Sequence, residues 1–458
     1  MSNSSSTKFN NLPQANSFLR DFTLDPPLIA LSKDQEVPKA QPANSSDILG
    51  LLSQLLKTVV QEQISQTLQS QVEGVRPEDK APVNGTAAQS NSTTNDVFFT
   101  ASAAAFSGEK QQFGESRPLP DIFFHTQEWR ALNEGIEHCK AAFFNLSHEV
   151  QNDLSGENNG ALQEKCYAIL DALNLQLQEA ERLLESSKHK DEGWGYIFKE
   201  IYPFFMRSRF AERSYFKPKG YAGDFLMIEM LYHNLADGDG RIGKMVDSWC
   251  LDTATARAVR GRRKLLKQLL HKFCDLRKDS PDPIRLLNLG CGSNRELFDF
   301  LKDCDYTEKI EATCVDTDKD ALLFTNQRVN RFHHRASIRL LDDNVARWSV
   351  GRSRYQYLQQ DIIYSSGLTD YFGTRTFRAL ATRCYDHLKP GGVLIIGNFG
   401  PANPHKTFMD SIIRWRLIHR SEEELKELFE DTPFSTRVKV ISEPQSINLF
   451  AVAHKPMD

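Results

Sequence analysis

Along the chain the rhythm of apolar positions changes three times. Over residues 1–97 it is sparse: Phe9, Phe18 and Phe22 are the only aromatics, and Ser, Asn, Gln, Thr and Pro dominate. Such a stretch buries too little apolar surface to offset its ordering entropy, which predicts a largely disordered arm over 1–120. One island departs from this. Ile48, Leu51, Leu52, Leu55, Leu56, Val59 and Val60 recur at helical spacing behind Ser46 and Asp47, predicting a short amphipathic helix near 46–70. It either folds back on the body or meets a partner helix. With Lys57 its only base, a membrane surface is the weaker option.

From 121 to 255 the pattern is helical. Trp129–His148 and Leu162–Leu184 are amphipathic, the second rich in Glu and Gln on its outer face. Residues 202–224 place glycine and proline among aromatics and bases, which reads as an ordered loop rather than a helix interior. Beyond 256 short β-rich runs take over, at Ile284–Leu289, Ile310–Val315, Ser337–Leu341, Asp361–Tyr364, Val393–Ile396, Arg437–Ile441 and Ile447–Val452. Helical segments separate the first five, and the last two follow closely. The expected core over 256–458 is therefore an α/β, Rossmann-like, seven-stranded and mostly parallel sheet with an antiparallel finish.

Charge and composition narrow the classes. The 458 residues carry 56 Lys and Arg against 60 Asp and Glu, a formal net charge of −4. That balance gives no global pull toward nucleic acid or anionic membrane. No apolar run is long enough for a transmembrane segment, and the N-terminus lacks the basic and apolar regions of a secretory signal. The eight cysteines include no C-x-x-C pair and no Cys/His cluster at zinc spacing. They read as reduced thiols in a cytoplasmic protein without a metal.

The sharpest chemical signal is Leu286-Leu287-Asn288-Leu289-Gly290-Cys291-Gly292, a buried strand ending in G-x-G before a helix. Glycines there let the backbone turn tightly and approach a ligand that a Cβ would block. Arg295 stands where a dinucleotide fingerprint has its third glycine, and the run is not a P-loop. At the tip of the next strand, Asp316-Thr317-Asp318 offers an acid able to accept both hydroxyls of a ribose. Asp318, before Lys319-Asp320-Ala321-Leu322, equally suits a helix N-cap. Further elements follow at Leu341-Asp342-Asp343-Asn344-Val345, at Asp361–Phe372, and at Leu388-Lys389-Pro390-Gly391-Gly392-Val393, whose glycine pair is taken as turn geometry.

Taken together, these five elements resemble the class I S-adenosylmethionine-dependent methyltransferases. Asn288 stands where many members have an acid. Tyr364–Tyr371, Gly397–Pro404, Trp415–Arg420 and Lys217–Asp224 look like one subfamily, the 3-hydroxypalmitic acid methyl ester biosynthesis proteins, over roughly residues 195–458. The resemblance implies S-adenosylmethionine as cofactor and a small-molecule or lipid acid as substrate, methylated on the carboxylate of a fatty or hydroxy-fatty acid. It places Gly290, Cys291 and Gly292 at the amino-acid half of the cofactor, Asp316 with Thr317 at the ribose, Asn344 and Val345 at the adenine, and Ser365 and Gly367 toward the methyl group.

Tyr215, Tyr221 and Asp224 are candidates for a lid, their alternative being cement between the helical layer and the core. Arg257, Arg260, Arg262 and Arg263 form a solvated helix face or an anion site. On a helix Arg416 and Arg420 would share a face, clamping a substrate carboxylate or pairing with Glu422–Glu424. Tyr371 and Asn398 are the expected donors to an acceptor carboxylate; a hydroxyl would need a base, for which His419 and Asp370 are the candidates. Two further readings keep the cofactor site: methylation of another small-molecule hydroxyl or amine, and a non-catalytic cofactor-binding regulator or scaffold. A lipid acceptor predicts an apolar tunnel between the helical layer and the strand ends.

Overall fold

The computed structural model describes residues 119–457. The expected arm and its helix near 46–70 lie outside the described residues.

Two long antiparallel helices open the described chain. In α1 (Gln127–Asn152) Leu132, Ile136, Cys139, Phe143 and Leu146 are buried, and Thr126 caps the start by accepting the Trp129 amide. In α2 (Asn159–Leu184) the buried stripe is Leu162, Cys166, Leu170, Leu173, Leu177 and Leu184. Steps of three and four put each stripe on one face. Behind them come α3 (Lys190–Phe205), α4 (Arg209–Phe216), α5 (Phe225–His233), α6 (Gly240–Asp252) and α7 (Ala254–Asp275).

The 202–224 stretch is thus more helical than its composition suggests. Pro203 lies in the last turn of α3, where little of the helix remains for its missing N–H to disrupt. Ser208 then starts α4 by accepting the Ala211 amide. Apart from the short turn at 206–208, the loop is confined to 217–224, entered through Lys217 at φ 47° and carrying Gly220 at φ 89°.

The sheet follows with β1 (Ile284–Leu289), α8 (Arg295–Asp303), β2 (Ile310–Asp316), α9 (Lys319–Val329), β3 (Ser337–Asp342), α10 (Val345–Ser349), β4 (Gln360–Ser365), α11 (Thr374–His387), β5 (Leu388–Phe399), α12 (Lys406–Ser411), α13 (Glu422–Glu430), β6 (Val438–Ser442) and β7 (Asn448–His454). Its order is β3-β2-β1-β4-β5-β7-β6. The first five strands pair in parallel, and β7 runs antiparallel between β5 and β6. β1 and β4 are almost wholly buried, as expected for strands covered on both faces. β5 starts five residues earlier than its apolar run. Gly391, at φ 72°, donates its amide to Pro456 O, and a Cβ on it would clash with the Met457 sulfur. The strand order reverses between β1 and β4, and the crevice outside their carboxyl ends is where such sheets bind ligands.

Residues 412–421 form an extended strap across the strand ends, so Arg416 and Arg420 do not share the helix face considered for them. Arg414 is left-handed at φ 53°. The strap's amides are satisfied from elsewhere: Trp415 donates to Met409 O, Ile418 to Asp370 O and Arg420 to Phe399 O.

Candidate active site

A cleft of about 970 Å³, open mouth included, lies over the carboxyl ends of β1, β2 and β4. Its outer half is made by the loops that the sequence singled out. Gly290 (φ 68°) and Gly292 (φ 50°) turn the chain out of β1, and a Cβ on Gly290 would press Leu368 at 3.2 Å. The Gly290 and Cys291 amides both donate to Val315 O, and Thr325 donates to Gly292 O. The loop is therefore fastened to β2 through its own amides, and the Gly290 carbonyl takes part in none of these bonds.

Asp316 closes β2. One of its carboxylate oxygens accepts the Gly292 amide at 2.8 Å, the other the Asp318 amide at 2.9 Å. Burial raises its pKa despite these bonds. Each oxygen keeps a further lone pair for a ligand hydroxyl. Asp318 is the N-cap of α9, accepting the Asp320 amide, and it pairs with Lys219 at 3.2 Å. Thr317, Asn344 and Val345 line the cleft. The Asn344 side chain also caps α10 through the Arg347 amide. Beside it Asp343, absent from the expected site, accepts Tyr357 Oη–H at 2.8 Å and the Ser353 hydroxyl.

The inner half is assembled from distant segments: Tyr221 and Gly223 from the 217–224 loop, Ser366–Leu368 with Asp370 and Tyr371 after β4, Phe399 at the end of β5, and Trp415 and Leu417 from the strap. Trp415 Nε1–H donates to Tyr371 Oη at 3.1 Å. Gly223 sits so close that a Cβ would lie 2.6 Å from that Oη and 3.0 Å from the indole. Burial raises the pKa of both Tyr221 and Tyr371, so both stay neutral phenols. Trp415 also lines a small void with Phe210, Leu231, Phe408 and Ile413, about large enough for one water. In place of the expected apolar tunnel, the described residues form a mixed cleft in front of the indole.

Several expected site residues lie elsewhere. Asn398 is buried, its Oδ1 accepting Arg420 at 2.6 Å and its Nδ2 donating to Ile418 O at 2.9 Å. It braces the strap and does not line the cleft. His419 also stays outside, its ring edge against Phe399 and its pKa lowered by burial. Arg416 is exposed and reaches only Asp410 O. Arg420 is buried, donating to Thr369 O and Phe372 O besides Asn398. Ser365 ties β4 to β1 through Leu289 O at 2.7 Å, leaving Ser366 and Gly367 to face the cleft. Tyr215 stacks on Phe198 at 4.6 Å beneath the Arg414 guanidinium. Asp224 is the N-cap of α5 and is gripped by Arg213. Both are cement, and of the three lid candidates only Tyr221 faces the cleft.

The residue that sequence reasoning undervalued is Arg262. It projects from α7 into the cleft, 5% exposed, and a Cβ on Gly367 would meet its guanidinium at 2.9 Å. Its Nε has no partner, and neither does Ser366 Oγ. Two orphaned polar groups in a wall that already holds Asp316 and the glycine loop suit a ligand with a carboxylate and hydroxyls. Its signal was visible: a base on the buried side of an otherwise apolar helical stripe, three residues after Val259 and three before Leu265.

Two family models match. One, described as "Putative methyltransferase", covers residues 221–319, and one, described as "Methyltransferase domain", covers 287–394. With the sheet order and the glycine–Asp316 cleft, they define the class: the chain is a class I S-adenosylmethionine-dependent methyltransferase, and S-adenosylmethionine is its cofactor. No curated protein matches the chain. Similar solved structures include a protein described as a possible exported protein from Bordetella parapertussis, at 14% identity, TM-score 0.42, over 74% of this chain and 100% of that one. Magnesium protoporphyrin IX methyltransferase from Synechocystis with bound S-adenosylmethionine shows 12% identity, TM-score 0.32, over 44% and 83%. N-methyltransferase NodS from Bradyrhizobium japonicum with S-adenosylhomocysteine shows 18% identity, TM-score 0.30, over 50% and 98%.

Among the described residues no helix is long and apolar enough to cross a membrane, and no group of His, Cys, Asp or Glu is arranged to hold a metal ion.

Proposed function

We propose that the chain methylates an oxygen of a fatty or hydroxy-fatty acid, the class of acceptor that the sequence resemblance implies. The observation that carries the reading is one continuous cleft joining Asp316 and the glycine loop to an inner wall of Tyr371, Phe399, Trp415 and Leu417. The side chains of Phe399, Trp415 and Leu417 in that wall support an apolar portion on the acceptor.

Asp316 would hold the ribose of the cofactor, Asn344 and Val345 its adenine, the Gly290 carbonyl its ammonium and Arg262 its carboxylate. When bound, S-adenosylmethionine supplies an electrophilic methyl group on a cationic sulfur. The faces of Tyr221 and Tyr371 suit a cation. With Trp415 and Leu417 they exclude water from the inner half. A carboxylate acceptor would be ionised at neutral pH and need no base, leaving the rate to positioning and desolvation; a hydroxyl acceptor would need one. Eight cysteines without a disulfide support a reducing, cytoplasmic setting.

Incubation with labelled S-adenosylmethionine and a panel of fatty and hydroxy-fatty acids tests the reading. Label on lipid is the expected result; cofactor binding without label on any acid overturns the substrate. A second reading, a hydroxyl or amine acceptor, is favoured by the Asp370 carboxyl group in the inner wall.

A further inference from the structure

Asp370 sits in a short turn, Thr369–Tyr371, between the cofactor loop and the strap. It is 2% exposed yet lines the cleft. One oxygen, Oδ1, accepts the Phe399 amide at 2.6 Å, and its backbone carbonyl accepts the Ile418 amide at 2.8 Å. The carboxylate is therefore oriented from both sides. Among the described residues it forms no ion pair, although Arg262 from α7 and Arg420 from the strap both face it at longer range. A carboxylate serving only to anchor the strap would be expected to be ion-paired, since an unpaired buried charge is costly.

We propose that Asp370 is the general base of this site, so that the acceptor class is a protic oxygen, a hydroxyl, rather than a preformed carboxylate. The inference rests on the methyltransferase reading and narrows its acceptor. The acceptor O–H bond breaks with its proton passing to a carboxylate oxygen of Asp370. The acceptor oxygen forms the new O–CH3 bond, the electron pair of the broken C–S bond stays on sulfur, and S-adenosylhomocysteine leaves. Neutral Asp370 then returns the proton to solvent. Burial, only partly offset by the Phe399 amide, Arg262 and Arg420, pushes the Asp370 pKa up to about 6. The group is ionised near neutral pH and more basic than an ordinary carboxylate. The phenol of Tyr371, the adjoining titratable group, stays protonated.

The test begins without an acceptor. Sinefungin carries an ammonium group where S-adenosylmethionine carries its methyl; S-adenosylhomocysteine carries nothing there. Calorimetric titration of both into the full chain should show sinefungin favoured by about tenfold or more at pH 8, an advantage lost as pH falls through about 6. In Asp370→Asn the advantage should vanish at every pH, with S-adenosylhomocysteine affinity within about threefold of wild type. A sinefungin advantage that is absent in the wild type, or that ignores pH and survives Asp370→Asn, overturns the inference alone. Failure of both ligands to bind overturns the methyltransferase reading with it. The wild-type pH series keeps the test decisive should the variant not fold. For turnover, 3-hydroxyhexadecanoate offers a carboxylate and a hydroxyl in one molecule. Base-stable ether label, lost in Asp370→Asn, is expected; base-labile ester label formed equally by both proteins overturns the inference.

Discussion

In the outer half of the cleft, the residues that face a ligand come from consecutive strand–loop–helix turns. In the inner half they come from four segments spread between Tyr221 and Leu417. The outer half is held mainly by backbone: Gly290 and Cys291 lean on Val315 O, and Gly292 on Asp316. The inner half is held mainly by side chains meeting across the fold, Trp415 on Tyr371, Gly223 beneath both, Asp370 on the Phe399 amide. The contrast teaches that a binding half can be fixed by local turns, whereas an acceptor half depends on how remote segments pack.

The largest expected effect falls on the inner half and concerns stability. Burial lifts Asp370 from the ordinary 3.8 to about 6, a difference worth on the order of 3 kcal/mol. At pH 3 and below the carboxyl is protonated folded or unfolded, and nothing is lost. As pH rises from there through about 6, the folded chain comes to keep a charge in a dry place, and stability falls. Asp370→Asn, which can still accept the Phe399 amide, should therefore be about 3 kcal/mol more stable than wild type at pH 8 and equal to it at pH 3. Urea unfolding at the two pH values decides it; no gain at pH 8 would mean that the charge is not penalised.

Next comes the outer half. Asp316→Ala should weaken S-adenosylmethionine and S-adenosylhomocysteine alike by roughly 1.5–3 kcal/mol, the scale of charge-assisted hydrogen bonds. Unchanged calorimetric affinities would remove Asp316 from the site. Gly223→Ala should cost about 1–2 kcal/mol through overpacking against Tyr371 and Trp415, with acceptor kinetics hit harder than cofactor affinity. Equal loss in both would erase the boundary between the halves. The smallest effect belongs to Lys219→Ala. Removing its partly exposed pairs with Asp318 and Asp320 should change cofactor affinity by at most about 1 kcal/mol, seen as a modestly faster dissociation in stopped flow.

This contrast also explains what could be read from the chain. Strand runs and the G-x-G turn are local patterns, and all seven strands fall where apolar alternation places them, within a few residues. Asp318 as an N-cap is equally local. Asn398, His419 and Arg416 lie outside the cleft for a shared reason. Their roles depend on the path of 412–421, whose bases and aromatics suggest a helix until the amides of Trp415, Ile418 and Arg420 are seen to find acceptors on other segments. Arg262 sat inside a basic run whose neighbours Arg257 and Arg263 do pair at the surface, with Asp252 and Asp299. Only packing separates the one that turns inward.

The strap has one more consequence. Its register is pegged by backbone bonds at Trp415, Ile418 and Arg420, and by the Arg420 guanidinium gripping Thr369, Phe372 and Asn398. Of the two side chains it offers to the cleft, Trp415 is buried and locked onto Tyr371, while Leu417 is only partly buried. The strap is therefore a fixed holder with one exchangeable bit: substitution at Leu417 reshapes the acceptor side of the cleft without disturbing the sheet or the cofactor loop.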